Sequence, residues 1–380
     1  MRASDLARLS EPYAENDDST SSGPMPALGI ELQRWKQLEL TILDDLSERP
    51  PYGIAWWAPD PGISRRILIS DQLYACVKSV SSNIVEAALH RLEFLDYADR
   101  DSDRFTDALK FQNGVPNISL PRARNPFEEL APELPRLHVA GVVRAFASAL
   151  DCAAGAIVGV VALPMSILKA DFRKVRKHLN KSSMAPKRAA KIQTEFGGRL
   201  EDLIAAAGPE GWLDWTLDFR NMLVHRGRRL EHGQFVPRMP FLYGHDAQPL
   251  VRIRKVTHLP RDPARSDVEV SLDPLHTLVL SEDVEQTLTG LLTSTMTLID
   301  MIGRELCEVW NWRRENPRSP CQPKEQWPNG RSIASSTFLG YAPGTFELDP
   351  SMAVVHPEVA HRFRSAALDD ASRAQWTAFD

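Results

Sequence analysis

Arg220 and His225 are separated by Asn221, Met222, Leu223 and Val224. Histidine titrates near neutral pH, so it can take up a proton and return it under physiological conditions. Arginine keeps its proton throughout that range and grips phosphate oxygens through a planar fork. A proton carrier beside a fixed positive charge suits cleavage of an RNA chain by its own 2′-hydroxyl. The base takes the hydroxyl's proton, the acid protonates the leaving oxygen, and the cation stabilises the phosphorane between them. Asn221 adds an amide that can orient the imidazole or a phosphate. Asp218, seven residues before His225, is the other candidate for orienting the imidazole. No acid–histidine cluster has metal-ligand spacing, so the expected chemistry uses neither metal nor cofactor.

The residues around this pair read as a helix. At about 100° per residue, Trp212, Trp215, Phe219, Met222 and Leu223 cover one arc. Leu213, Leu217 and Val224 widen it beyond half the circumference, which predicts a helix enclosed by neighbours. The narrow polar stripe holds Asp214, Asp218, Asn221 and His225. Arg220 falls inside the apolar arc, where a guanidinium must be paired or must line a cavity or interface. Asp151, the only acid in the apolar run 139–163, is its expected partner. His225 stands at the helix C-terminus, where the helix dipole favours the protonated imidazole. Five residues on an α-helix is about 140° of rotation. Arg220 and His225 therefore converge only through a long side chain, a frayed end or a second subunit.

The segment from Asp218 to Arg226, followed by Gly227, resembles the R-N-x-x-x-H form of the HEPN superfamily motif, R-x4–6-H. The resemblance covers roughly residues 66–314. It implies an up-and-down helical bundle, with the motif near the end of a helix and two motifs meeting at a composite site in a homodimer. It also implies metal-independent cleavage of RNA to a cyclic phosphate, with Arg220 and His225 as the catalytic pair and Asn221 as the polar residue beside the arginine. Members of this superfamily often act in stress or anti-phage responses, and some are restrained by an inhibitory protein partner. Others bind RNA, nucleotides or proteins without cutting.

The surrounding chain reads as mainly α, a HEPN-like bundle with a small antiparallel β insertion. Residues 1–27 read as a disordered leader, and 28–65 as an N-terminal helix and linker. The helical domain of 66–314 is expected to carry insertions at 99–137 and 234–279. Residues 315–380 read as an irregular tail with a short helix. Helices are expected near 30–46, 69–95, 139–163, 166–180, 187–206, 211–226 and from Ser281 to about Arg314. Two or three strands are expected at 234–243, 250–258 and 268–279.

Between Lys169 and Arg199 ten basic residues face two acids, a local balance of +8 in a chain of net charge −5. Lys174, Arg176, Lys177, Lys187 and Arg188 are candidates for contacts to an RNA backbone. The overall negative charge argues against a general polyanion binder. Cys76, Cys152, Cys307 and Cys321 form no C-x-x-C pair, which fits free thiols in a reducing cytoplasm. The run 139–163 is long enough to span a bilayer, but Arg144 and Asp151 lie within it, so a protein-embedded helix and no membrane association are expected. There is no Gly-rich phosphate loop and no G-x-S-x-G context for a serine nucleophile.

Overall fold

The computed structural model describes residues 32–45, 63–112, 115–118, 129–163, 165–180, 187–226, 232–238, 252–266, 269, 273–316 and 341. The expected leader, nearly all of the tail, Cys321 and Gly227 lie outside them. The described residues are mainly helical, as the apolar periodicity requires, with two small antiparallel sheets. The helices are α1 (Gln33–Asp45), α2 (Ile63–Ala108), α3 (Leu134–Val160), α4 (Phe172–Leu179), α5 (Lys187–Ala207), α6 (Trp212–Asn221), α7 (Leu275–Leu278) and α8 (Val284–Glu315). Strands β1 (Leu109–Gln112) and β2 (Val115–Ile118) pair with each other, as do β3 (His232–Arg238) and β4 (Arg252–His258).

Three expectations are corrected. First, α2 runs on to Ala108 instead of ending near residue 95. The charges after residue 95 form a solvated helical face: Arg100 pairs with Asp96 one turn away, and Ser102 and Thr106 back-bond to Ala98 O and Ser102 O at 2.8 Å. Second, 99–137 holds the β1–β2 ladder, Leu109 opposite Ile118 and Gln112 opposite Val115. The intervening Asn113-Gly114 is a strong two-residue turn signal. Third, no strand forms among the described residues of 268–279, which are 269 and 273–279. Val279 makes one bridge to Pro260, and the short α7 starts after Pro274. The β3–β4 ladder does form, with His232 opposite His258 and Arg238 opposite Arg252.

The chain divides into two compact units, and α1, α2, α3, α5 and α8 contribute residues to both. The first comprises residues 1–33, 79–150 and 200–302. Its core includes Ile84, Phe94, Val143, Phe146, Leu213, Leu217, Phe219, Leu288, Met296 and Ile299, all buried. Arg91 is buried there too, donating to Thr289 Oγ1 from Nε at 3.3 Å and from a terminal nitrogen at 2.8 Å. α8 starts with a reciprocal cap: Asp283 Oδ1 accepts from Glu285 N at 3.4 Å, and Asp283 N donates to Gln286 Oε1 at 3.2 Å. Arg254 of β4 pairs with Asp283 and Glu285, joining the sheet to that helix end.

The second unit comprises residues 34–78, 151–199 and 303–380. Trp35 and Trp310 are completely buried in it. Gly303 seats Trp35, because a Cβ there would lie 2.8 Å from the indole Nε1. Trp310 Nε1 donates to Asp45 Oδ2 at 2.7 Å, and Arg314 Nε lies 3.1 Å from the same oxygen. Burial raises the Asp45 carboxyl above its ordinary range despite these partners. Arg313 donates to Gly159 O and Val160 O, both at 2.9 Å, while Gln193 Nε2 donates to Ala162 O at 2.8 Å. Those carbonyls at and just beyond the end of α3 are thereby satisfied.

Ala131–Val160 is the one helix among the described residues long and apolar enough to cross a membrane. Its most apolar window is 72% buried inside the protein, as the core helix of a folded domain is.

Candidate active site

α6 is fixed by its two tryptophans. Gly211, just before it, takes φ +79°, a left-handed conformation that glycine reaches without steric cost. Trp212 Nε1 then donates to Ile204 O of α5 at 3.2 Å, and Trp215 Nε1 donates to Pro260 O after β4 at 3.0 Å. Trp215 and Phe219 pack with ring centroids 4.9 Å apart. Gly208 lets α8 come close: a Cβ there would stand 2.5 Å from Ser294 Oγ. The helix is held on two sides before its chemistry-bearing end begins.

At that end the winding changes. Met222–Arg226 is a π-turn, with i→i+5 hydrogen bonds in place of i→i+4. Met222 N donates to both Asp218 O and Phe219 O at the switch point, and its side chain is buried. A wider turn advances through a smaller angle per residue. Arg220 and His225 therefore lie nearer a common face than the roughly 140° of a regular α-helix. Such turns are rare and frequently occur at functional sites.

Exposure changes along the same stretch. Trp212, Leu213, Thr216, Leu217 and Phe219 are buried. Asp218, Arg220, Asn221 and Leu223 are half-buried, while Val224 and His225 are exposed. This corrects the expectation of a helix enclosed along its length. The candidate catalytic residues occupy its open end, where a large substrate can reach them. Arg220 donates to Asn221 Oδ1 at 3.1 Å. The amide oxygen thus steadies the guanidinium, while the amide nitrogen is a separate donor suited to an imidazole or a phosphate.

Asp151 and the basic candidates belong to the second unit. Asp151 Oδ1 accepts from Phe172 N at 3.0 Å, and Asp171 Oδ1 accepts from Lys174 N at 2.8 Å. These two acids hold the N-terminus of α4. That gives the acid in the apolar helix a structural role which the sequence did not suggest. α4 buries Phe172, Val175 and Leu179 and exposes Arg173, Lys174 and Lys177, with Arg176 and His178 half-exposed. Lys174 Nζ lies 2.6 Å from Asp171 Oδ2, and that bond and charge raise the ammonium's pKa. Lys187 and Arg188 open α5, but their side chains lie outside the described ones.

In the first unit a cleft of about 110 Å³ is lined by Phe94, Arg136, Lys255, Thr257 and Leu259 among others. It is well below the roughly 300 Å³ of an ordinary small-molecule pocket and includes none of the candidates. No group of three or more His, Cys, Asp or Glu residues is arranged to hold a metal among the described residues. No family model, curated protein or solved structure matches the chain, so its functional reading rests on the residues themselves.

Proposed function

We propose that the chain is a metal-independent endoribonuclease of the HEPN type, acting in the cytoplasm. The observation that carries this reading is the π-turn at Met222–Arg226, which relieves the angular mismatch between Arg220 and His225 at an open helix end. A proton carrier beside a phosphate-gripping cation suits phosphodiester transfer. His225 takes the proton from a 2′-hydroxyl, whose oxygen attacks the adjacent phosphorus. The 5′-oxygen leaves with a proton, giving a 2′,3′-cyclic phosphate and a 5′-hydroxyl end. Arg220, steadied by Asn221, stabilises the charge on the phosphorane. In a homodimer the two copies of His225 divide the roles of base and acid, as in the composite sites of the superfamily. Asp218 is a supporting residue. The exposed basic face of α4, with Lys174, Arg176 and Lys177, is a candidate track for the RNA backbone, and Lys187 and Arg188 extend it by sequence. A role in stress or anti-phage defence, under the control of an inhibitory partner, follows by analogy only.

The same α4 face favours a second reading, a helical module that holds RNA, a nucleotide or a protein without cutting. One experiment separates them. The protein and its His225→Ala variant are incubated with mixed RNA in EDTA, and the new ends are analysed. Cyclic phosphates from the parent alone support the nuclease. RNA binding without cleavage by either protein supports the binding module.

A further inference from the structure

His90 of α2 and His138 of α3 meet nitrogen to nitrogen in the first unit, with Nδ1 3.1 Å from Nδ1. Their ring centroids are 5.3 Å apart and their planes are inclined at 55°. The two residues stand on different helices, so their approach is set by packing. Gly141, one turn after His138, makes room for it: a Cβ there would fall 2.5 to 2.6 Å from Cδ2, Cγ and Nε2 of His90. Glu86, one turn before His90, places Oε1 4.0 Å from its Nε2. A carboxylate on that side favours the tautomer protonated at Nε2 and leaves the Nδ1 lone pair directed at His138. The His90 side chain is 29% exposed, so an ion can enter from solvent.

We propose that His90 and His138 form a two-imidazole site for a divalent transition-metal ion, of the zinc, nickel or copper class, clasped between α2 and α3. Two imidazole nitrogens at roughly 2.0–2.1 Å from a tetrahedral ion lie ~3.4 Å apart. The 3.1 Å contact is a hydrogen bond that aims the two nitrogens at each other, so the ion replaces its proton, the nitrogens part by a few tenths of an ångström and each ring turns by roughly 35° to converge on the metal. No third His, Cys, Asp or Glu completes a ligand set among the described residues, so water fills the remaining positions and the affinity is modest. Imidazole donors suit these ions, whereas magnesium and calcium prefer oxygen. Burial, and then the charge of His90, lower the His138 pKa, while Glu93 acts in the opposite direction. Glu86 and Glu93, both on α2, are the carboxylates acting on the pair. The site shares no residue with the Arg220–His225 pair and does not depend on the nuclease reading.

The full chain, stripped with EDTA and desalted, is titrated with zinc chloride at pH 7.5 by calorimetry, alongside His90→Asn and His138→Asn. One ion is expected to bind per chain, at least about tenfold more tightly than to either variant. Zinc should also raise the unfolding temperature of the parent, reversibly with EDTA, whereas magnesium should not. Circular dichroism checks that each variant folds. His138→Asn decides the matter if His90→Asn disturbs the seat on Gly141. Equal binding by the parent and a folded His138→Asn, or no binding by the parent at micromolar zinc, overturns the proposal.

Discussion

Two arginines stand at the C-terminal ends of helices and do unlike work. Arg313 reaches the end of α3, where it is 4% exposed and donates to two backbone carbonyls at 2.9 Å. Its guanidinium also lies 5.7 Å from the centre of the Trp310 ring. Arg220 belongs to the last turn of α6, is half-buried, and holds the side-chain amide of Asn221 at 3.1 Å. A generic rule, cations at helix C-termini, covers both. The partner distinguishes them. Arg313 donates to carbonyls at the end of another helix, whereas Arg220 lies on a half-open face and donates to the amide oxygen of its neighbour Asn221.

The largest expected effect lies on the α6 side of this contrast. His225→Ala and Arg220→Ala should each reduce RNA cleavage by about 100-fold or more. Both should unfold in urea within about 0.5 kcal/mol of the parent, as substitutions at exposed or half-exposed positions do. If either variant instead loses stability in step with activity, the two arginines are alike and the contrast fails. On the α3 side the outcome is the reverse. Arg313→Met leaves buried carbonyls unpaired and should cost on the order of 3 kcal/mol in urea unfolding, while the cleavage rate per folded molecule stays near that of the parent.

Two smaller effects sharpen the same comparison. Deleting Val224, an exposed residue of the π-turn, leaves Arg220 and His225 four residues apart, about 40° on a regular α-helix. If convergence on one face is what the site needs, cleavage should stay within about tenfold of the parent with little change in unfolding; a loss of about 100-fold would mean that the π-turn's own geometry is required. Just beyond α3, Ala162 takes φ +56°, a left-handed conformation costly for a residue with a Cβ. Ala162→Gly should stabilise the chain by about 0.5–1 kcal/mol, measured as a shift in the urea midpoint. A loss instead would show that the Arg313 and Gln193 bonds need the alanine's stiffness.

The helix that carries Arg220 and His225 was legible in the sequence, but the way it ends was not. The tryptophan spacing gives α6, and Phe172, Val175 and Leu179 give α4, because helical periodicity is a local property. The π-turn has no such signature: its winding depends on which side chains a tertiary core admits, and Met222 is buried while Val224 is not. The openness of the site was also hidden. A wheel records which residues are apolar, and Val224 is apolar yet exposed. The bond from Phe172 N to Asp151 was not legible because it joins residues twenty-one apart. The clamp on α3 spans 153 and 154 residues to Arg313, a separation at which no sequence window helps. The Asn113-Gly114 sequence signal, by contrast, was available; the prolines and charges around it suggested an insertion or long connection instead.

The buried apolar helix α3 has a consequence before there is any fold. As the chain leaves the ribosome, residues 139–163 form an apolar segment that membrane-insertion machinery can recognise and that other unfolded chains can stick to. Arg144 and Asp151 each add roughly 2.5–3.5 kcal/mol to the cost of a central bilayer position, which biases the nascent segment away from the membrane. They cannot prevent self-association, which ends only when later parts of the chain arrive to cover it. Arg313, which closes the end of this helix, is made some 150 residues after it. Recovery of soluble protein should therefore respond to chaperone supply more strongly than to any substitution at the Arg220–His225 site.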